Sequence, residues 1–95
     1  MKTQMIVLEK GEATGHCIYL GKAPLLIIQV QKGFVMCGYL NMNAANKIGD
    51  IAGRVTGVKT FDDMLNADVV EVSENAKLAG LKQGMNVKDF LNALL

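Results

Sequence analysis

Apolar residues fall into short runs in the first part of the chain and into spaced, helix-like sets in the second. Met5–Leu8 is apolar and closes at Glu9-Lys10-Gly11. Ala13–Leu20 alternates loosely and ends at Gly21. Leu25–Val30 is apolar and rich in branched residues, and it follows Pro24, a residue tolerated at a strand entrance. Gln31-Lys32-Gly33 reads as a hairpin turn, with Gly33 free to take positive φ, and Phe34–Tyr39 as the returning strand. Polar alternation is weak in all of these runs, which predicts a sheet covered on both faces.

From Asn41 the spacing changes. Asn41 can cap a helix that runs to Ile48 and stops at Gly49. Ile51–Val58 reads as a strand, and Thr60 begins a second helix with Phe61, Met64 and Leu65 inward. Thr60-Phe61-Asp62-Asp63 forms a short-armed capping box. Val69–Val72 is a further strand, Ser73 caps a turn of helix ending at Gly80, and Asn86 caps the last helix. In that helix Val87, Phe90, Leu91, Leu94 and Leu95 form one apolar stripe. The expected fold is α+β: N-terminal antiparallel strands, a β-α-β-α-β segment and C-terminal helices on a mixed sheet. The 95 residues fit one domain, with a strand-rich oligomerisation region over 1–40 and an alternating helix/strand region over 41–95.

Composition sharpens this expectation. The chain is 51% hydrophobic and only 20% charged, with mean hydropathy +0.24. A domain of this size buries only about 60–65% of its unfolded surface. The surplus apolar material therefore predicts contact between copies of the chain. A membrane is the rival destination, but no run approaches the ~18 apolar residues of a spanning helix. The apolar patch near the N-terminus is too short for a secretion signal, so a cytoplasmic location is expected. The net charge is +1 with both signs interspersed, which supplies no cationic face for nucleic acid. Cys17 and Cys37 make no disulfide framework and read as free thiols in a reducing compartment.

Four segments recur in a known order: Gly33-Phe34-Val35-Met36-Cys37-Gly38, Ala52-Gly53-Arg54-Val55-Thr56-Gly57-Val58-Lys59-Thr60, Asp63-Met64-Leu65-Asn66-Ala67 and Gly80-Leu81-Lys82-Gln83-Gly84-Met85. Together they resemble the YunC-like family of uncharacterised bacterial and archaeal proteins. The resemblance extends from Gly33 to the C-terminus, whereas the earlier strands match only in style. It implies a small α+β domain whose N-terminal sheet region mediates tetramerisation, and it brings no established activity. This chain departs from the family pattern at Asn41, where the pattern has Asp, and in a following helix about one turn shorter. Asparagine still caps a helix but cannot act as a carboxylate base.

Arg54 is the only arginine. A planar guanidinium suits a carboxylate or phosphate, and Gly53 and Gly57 leave room for close backbone approach. Lys59 and Thr60 stand at a helix start, where free N–H groups attract anions. One reading is therefore a small-anion site at Arg54, Gly53, Gly57, Lys59 and Thr60. The other is an Arg54 ion pair with Asp50, Asp62 or Asp63. The stretch from Gly53 to Thr60 lacks the glycine before Lys-Thr that a phosphate-binding loop needs, because Val58 stands there. Cys37, at a strand end before Gly38, is a candidate nucleophile or a small buried hydrophobe. His16 is the only histidine, and it could serve Cys37 only if their strands were neighbours. Adjacent in a strand, His16 and Cys17 should face opposite ways, so no metal site and no cofactor are expected. Three functions remain open: a homo-oligomeric module binding a small anion or a protein partner, a thiol-dependent enzyme, and a purely structural assembly unit.

Overall fold

The computed structural model describes residues 2–95. Six strands form one sheet in sequence order: β1 (Lys2–Leu8), β2 (Gly11–Tyr19), β3 (Pro24–Val30), β4 (Gly33–Met36), β5 (Ala52–Arg54) and β6 (Glu71–Val72). All neighbours are antiparallel except β4 and β5, which run parallel because α1 (Met42–Ile48) carries the chain back between them. Helices α2 (Phe61–Leu65), α3 (Glu74–Leu78) and α4 (Val87–Ala93) complete the α+β fold. No helix among the described residues is long and apolar enough to cross a membrane.

The expected caps are in place. Asn41, Thr60, Ser73 and Asn86 each accept a hydrogen bond from a first-turn N–H of their helix. Gly49 ends α1 with φ 93°, a conformation that favours glycine. The strands from 51 to 58 and from 69 to 72 are shorter than their apolar runs suggest. Val55 and Val69 are buried outside the strands, so burial without strand pairing extends the pattern. Gly33 also differs from expectation. It has no positive φ; a Cβ there would run into the carbonyl oxygen of Ile51, so crowding selects the glycine.

The sheet faces are unequal. Ile6, Ala13, Cys17, Leu26, Ile28 and Val35 point to the main core, where Met64, Phe90 and Leu91 close over them. The opposite face is covered only near β4 and β5, where Met42 and Ala45 of α1 pack on Met36 and Ala52. Along β1 that face stays open, with Met5 64% and Val7 75% exposed. The expectation of a sheet covered on both faces therefore holds for half of it. Alternation looked weak in the sequence because Met5, Val7, Ile18 and Ile27, on the less covered face, are themselves apolar.

Two contacts lock the second half to the sheet. A Cβ on Gly53 would lie 3.1 Å from the Phe90 ring and from Val69, so the glycine lets α4 sit directly on β5. Ser73 is wholly buried; its Oγ accepts from the N–H groups of Ala52 and Ala76 and donates to the Asp50 carbonyl. Removing that hydroxyl orphans three buried or half-buried groups. Ser73→Ala should therefore cost about 1–3 kcal/mol in urea unfolding. Phe90→Ala, which empties a fully buried ring site, should cost about 3–5 kcal/mol in the same measurement.

Candidate functional site

The parallel pair creates the one place in the sheet where the chain leaves two adjacent strand ends toward opposite faces. Met36 pairs with Arg54 at the end of this register, and the Val55 N–H donates to the Met36 carbonyl at 2.9 Å. Beyond β4 the chain passes to α1 on the less covered face, while beyond β5 it passes to α2 on the core face. A crevice forms where such connections diverge at the carboxyl ends of parallel strands. Here the crevice is split into two clefts.

The polar cleft, about 420 Å³, is lined by Arg54, Glu71, Gly38–Leu40 and Asn41–Asn43. Arg54 and Glu71 face each other across β5 and β6, and Arg54 Nε donates to Glu71 Oε1 at 2.9 Å. The side chains remain 27% and 45% exposed. No partner engages the two terminal amino groups of Arg54 or Oε2 of Glu71 among the described residues. The expected aspartate partners of Arg54 are thus replaced by Glu71. Its identity follows from strand register rather than sequence proximity, and the apolar run around it gave no sign of the pairing.

The second cleft, about 330 Å³, shares Gly38 and Tyr39 with the first and is otherwise lined by Ala23, Pro24, Cys37, Gly57, Val58 and Lys59. The Tyr39 hydroxyl donates to the Ala23 carbonyl at 3.1 Å, which ties the shared wall to the start of β3. Cys37 is 3% exposed, and its Sγ accepts from the Leu26 N–H at 3.2 Å. No carboxylate or imidazole lines this cleft. His16 sits two strands away on the opposite face, against Gln29 Oε1 at 3.1 Å, so it cannot serve Cys37. Lys59 makes no ion pair among the described residues. Gly57 adopts φ 72° in open space, as a turn requires.

Two expected anion-site members have structural employment instead. Gly53 faces the core beneath Phe90 rather than a cleft. At the α2 start, Thr60 Oγ1 accepts from Asp63 N at 3.0 Å, and Asp63 Oδ2 accepts from Lys59 N at 3.1 Å. The Thr60 hydroxyl thus takes one first-turn N–H, and the Asp63 carboxylate places a negative charge at the helix start, where it opposes an incoming anion. A third cleft, about 200 Å³, lies beside Lys59, Thr60 and Cys17. At its edge the Tyr19 hydroxyl is raised above its ordinary pKa, first by its hydrogen bond with Cys17. That shift moves its titration away from neutral pH and changes no charge there. Among the described residues, no three of His, Cys, Asp and Glu gather in a way that could hold a metal ion.

Comparison with known proteins agrees with this fold. Residues 36–94 match the family described as Domain of unknown function (DUF1805). The chain is 31% identical over 90 residues to the "Uncharacterized protein YunC" of Bacillus subtilis (strain 168), covering 90% of this chain and 89% of that one. It superposes with TM-score 0.93 and 45% identity on the crystal structure of a protein of unknown function, TA1206, from Thermoplasma acidophilum, covering 99% of this chain and 92% of that one. The family match over residues 36–94, the length of the match to YunC and the common fold place the chain in the DUF1805, YunC-like family.

Proposed function

We propose that this chain is a homo-oligomeric module that binds a small carboxylate- or phosphate-bearing metabolite in the polar cleft at the ends of β4 and β5. The observation that carries the reading is Arg54: half-buried at the cleft, held in place through Nε, with both terminal amino groups uncommitted. A guanidinium fixed by one edge presents the other as a ready two-point donor. Lys59, which makes no ion pair among the described residues, adds a further cation in the neighbouring cleft. Binding at the Arg54 cleft is better supported than thiol catalysis, because Cys37 is buried and no carboxylate or imidazole lines its cleft. At the Thr60 helix start the Asp63 carboxylate already faces the Lys59 N–H, which makes it the weaker anion receptor.

Thermal unfolding with phosphate and a panel of small carboxylates tests the site. A ligand at ten times its Kd should stabilise the folded state by about 1.4 kcal/mol, a rise of roughly 6–11 °C in Tm for a domain of this size. Arg54→Met should abolish the rise, and Arg54→Lys should keep only part of it. Equal shifts in wild type and Arg54→Met would exclude Arg54 as the receptor, and no shift with any probe would remove the reading.

Self-association draws its support from the open face around Met5 and Val7. Placing a charge there should separate the subunits without unfolding them. Sedimentation at micromolar concentration should give a multiple of 10.2 kDa for wild type and a smaller species for Val7→Glu. A 10.2 kDa wild-type species would refute the oligomer.

A further inference from the structure

We infer that the ligand of the Arg54 cleft is a zwitterion, an α-amino acid with an apolar side chain, in which Glu71 takes the ammonium group; this rests on the reading of Arg54 given above. Glu71 is the reason. It is 45% exposed, lines the same cleft as Arg54, and spends only Oε1 on the guanidinium. A ligand carrying only negative charge would bring its carboxylate beside Glu71 and meet repulsion there, while the field of Arg54 is already partly neutralised. A ligand carrying both charges meets complementary groups at both ends. Its carboxylate accepts from the terminal amino groups of Arg54, and its ammonium donates to Glu71 Oε2. Glu71 then raises selectivity by penalising analogues that leave its carboxylate unmatched.

The second cleft sets the remainder of the molecule. Gly38 and Tyr39 form the wall it shares with the polar cleft, and Pro24, Ala23 and Val58 give it an apolar lining. The two clefts measure about 330 and 420 Å³, each within the ~300–1,000 Å³ range of small-molecule sites. A ligand whose head group sits at Arg54 and Glu71 reaches this second cleft only by passing the Gly38–Tyr39 wall, so the proposed amino acid lays its apolar side chain against that wall, toward Pro24 and Val58.

Calorimetric titration of the full chain with leucine and with 4-methylpentanoate, the same skeleton without the amine, tests the inference. Wild type should bind leucine at least tenfold more tightly. Glu71→Gln should bring the two within about twofold of each other, and Arg54→Met should bind neither. The Arg54–Glu71 pair is partly exposed, and such pairs contribute little to stability, so both variants should fold; urea midpoints close to that of wild type verify this. Equal affinity of wild type for both ligands would overturn the zwitterion while leaving the carboxylate site standing. A leucine preference that survives Glu71→Gln would overturn the role of Glu71 and the inference with it. Failure of both ligands, with phosphate or another carboxylate still binding in an Arg54-dependent way, would overturn the zwitterion alone. Failure of every probe would remove the site as well.

Discussion

The parallel pairing of β4 with β5 is the constraint on which the candidate site depends. An antiparallel hairpin at that point would have returned the chain beside the strand it had just left. Instead α1 carries it over the less covered face, and the two strand ends finish together at Met36 and Arg54. Their continuations must then part, and the gap between them cannot be filled by either. The pairing is itself maintained by close packing on both sides. Met42 and Ala45 of α1 press on Ala52 from one face, and Phe90 rests against Gly53 from the other. A side chain at residue 53 would push α4 off the strand that holds Arg54. Gly53 thus reaches the site through packing and the position of its neighbour, with no need to touch a ligand.

Composition and architecture meet at the other end of the sheet. A core of helices on one face and a single helix over part of the other leave apolar residues of β1 in the open. Part of the excess hydrophobicity of the sequence therefore lies on one sheet face at β1, far along the strand order from β5 and β6, and other exposed apolar residues such as Ile48 and Leu78 lie on helices. The surface proposed for self-association and the clefts proposed for ligand binding are carried by different strands, so a change at one need not dismantle the other.

Most of the fold was legible because its signals are local. A cap residue satisfies donors two or three positions ahead, and Asn41, Thr60, Ser73 and Asn86 announce their helices by that rule. The separation of His16 from Cys17 follows from strand geometry alone. The site was only partly legible, because its essential relations are not local. Arg54 was visible as a lone guanidinium, but Glu71 becomes its partner only through the β5–β6 register, 17 positions along the chain. Gly53 looked like an opening for a ligand until the Phe90 ring occupied that space. At Lys59 and Thr60 the capping box was legible and the anion site was the weaker reading: the Thr60 hydroxyl takes the Asp63 N–H and the Asp63 carboxylate turns back to the Lys59 N–H.

The Arg54–Glu71 pair also bears on how tightly the cleft can bind. An unpaired guanidinium would offer a strong field, but it would spend its time hydrated and mobile, and ordering it would cost entropy on binding. Anchoring Nε to Glu71 removes much of that mobility in advance while leaving the terminal amino groups available. The anchor also weakens the net positive field, so attraction at long range is traded for geometry at short range. Such a site favours ligands that match its shape and both of its charges over ligands that are merely anionic. Partial exposure of the pair keeps its own contribution to folding small, so the strongest reason for these two side chains to share one edge of the sheet is what they can hold together.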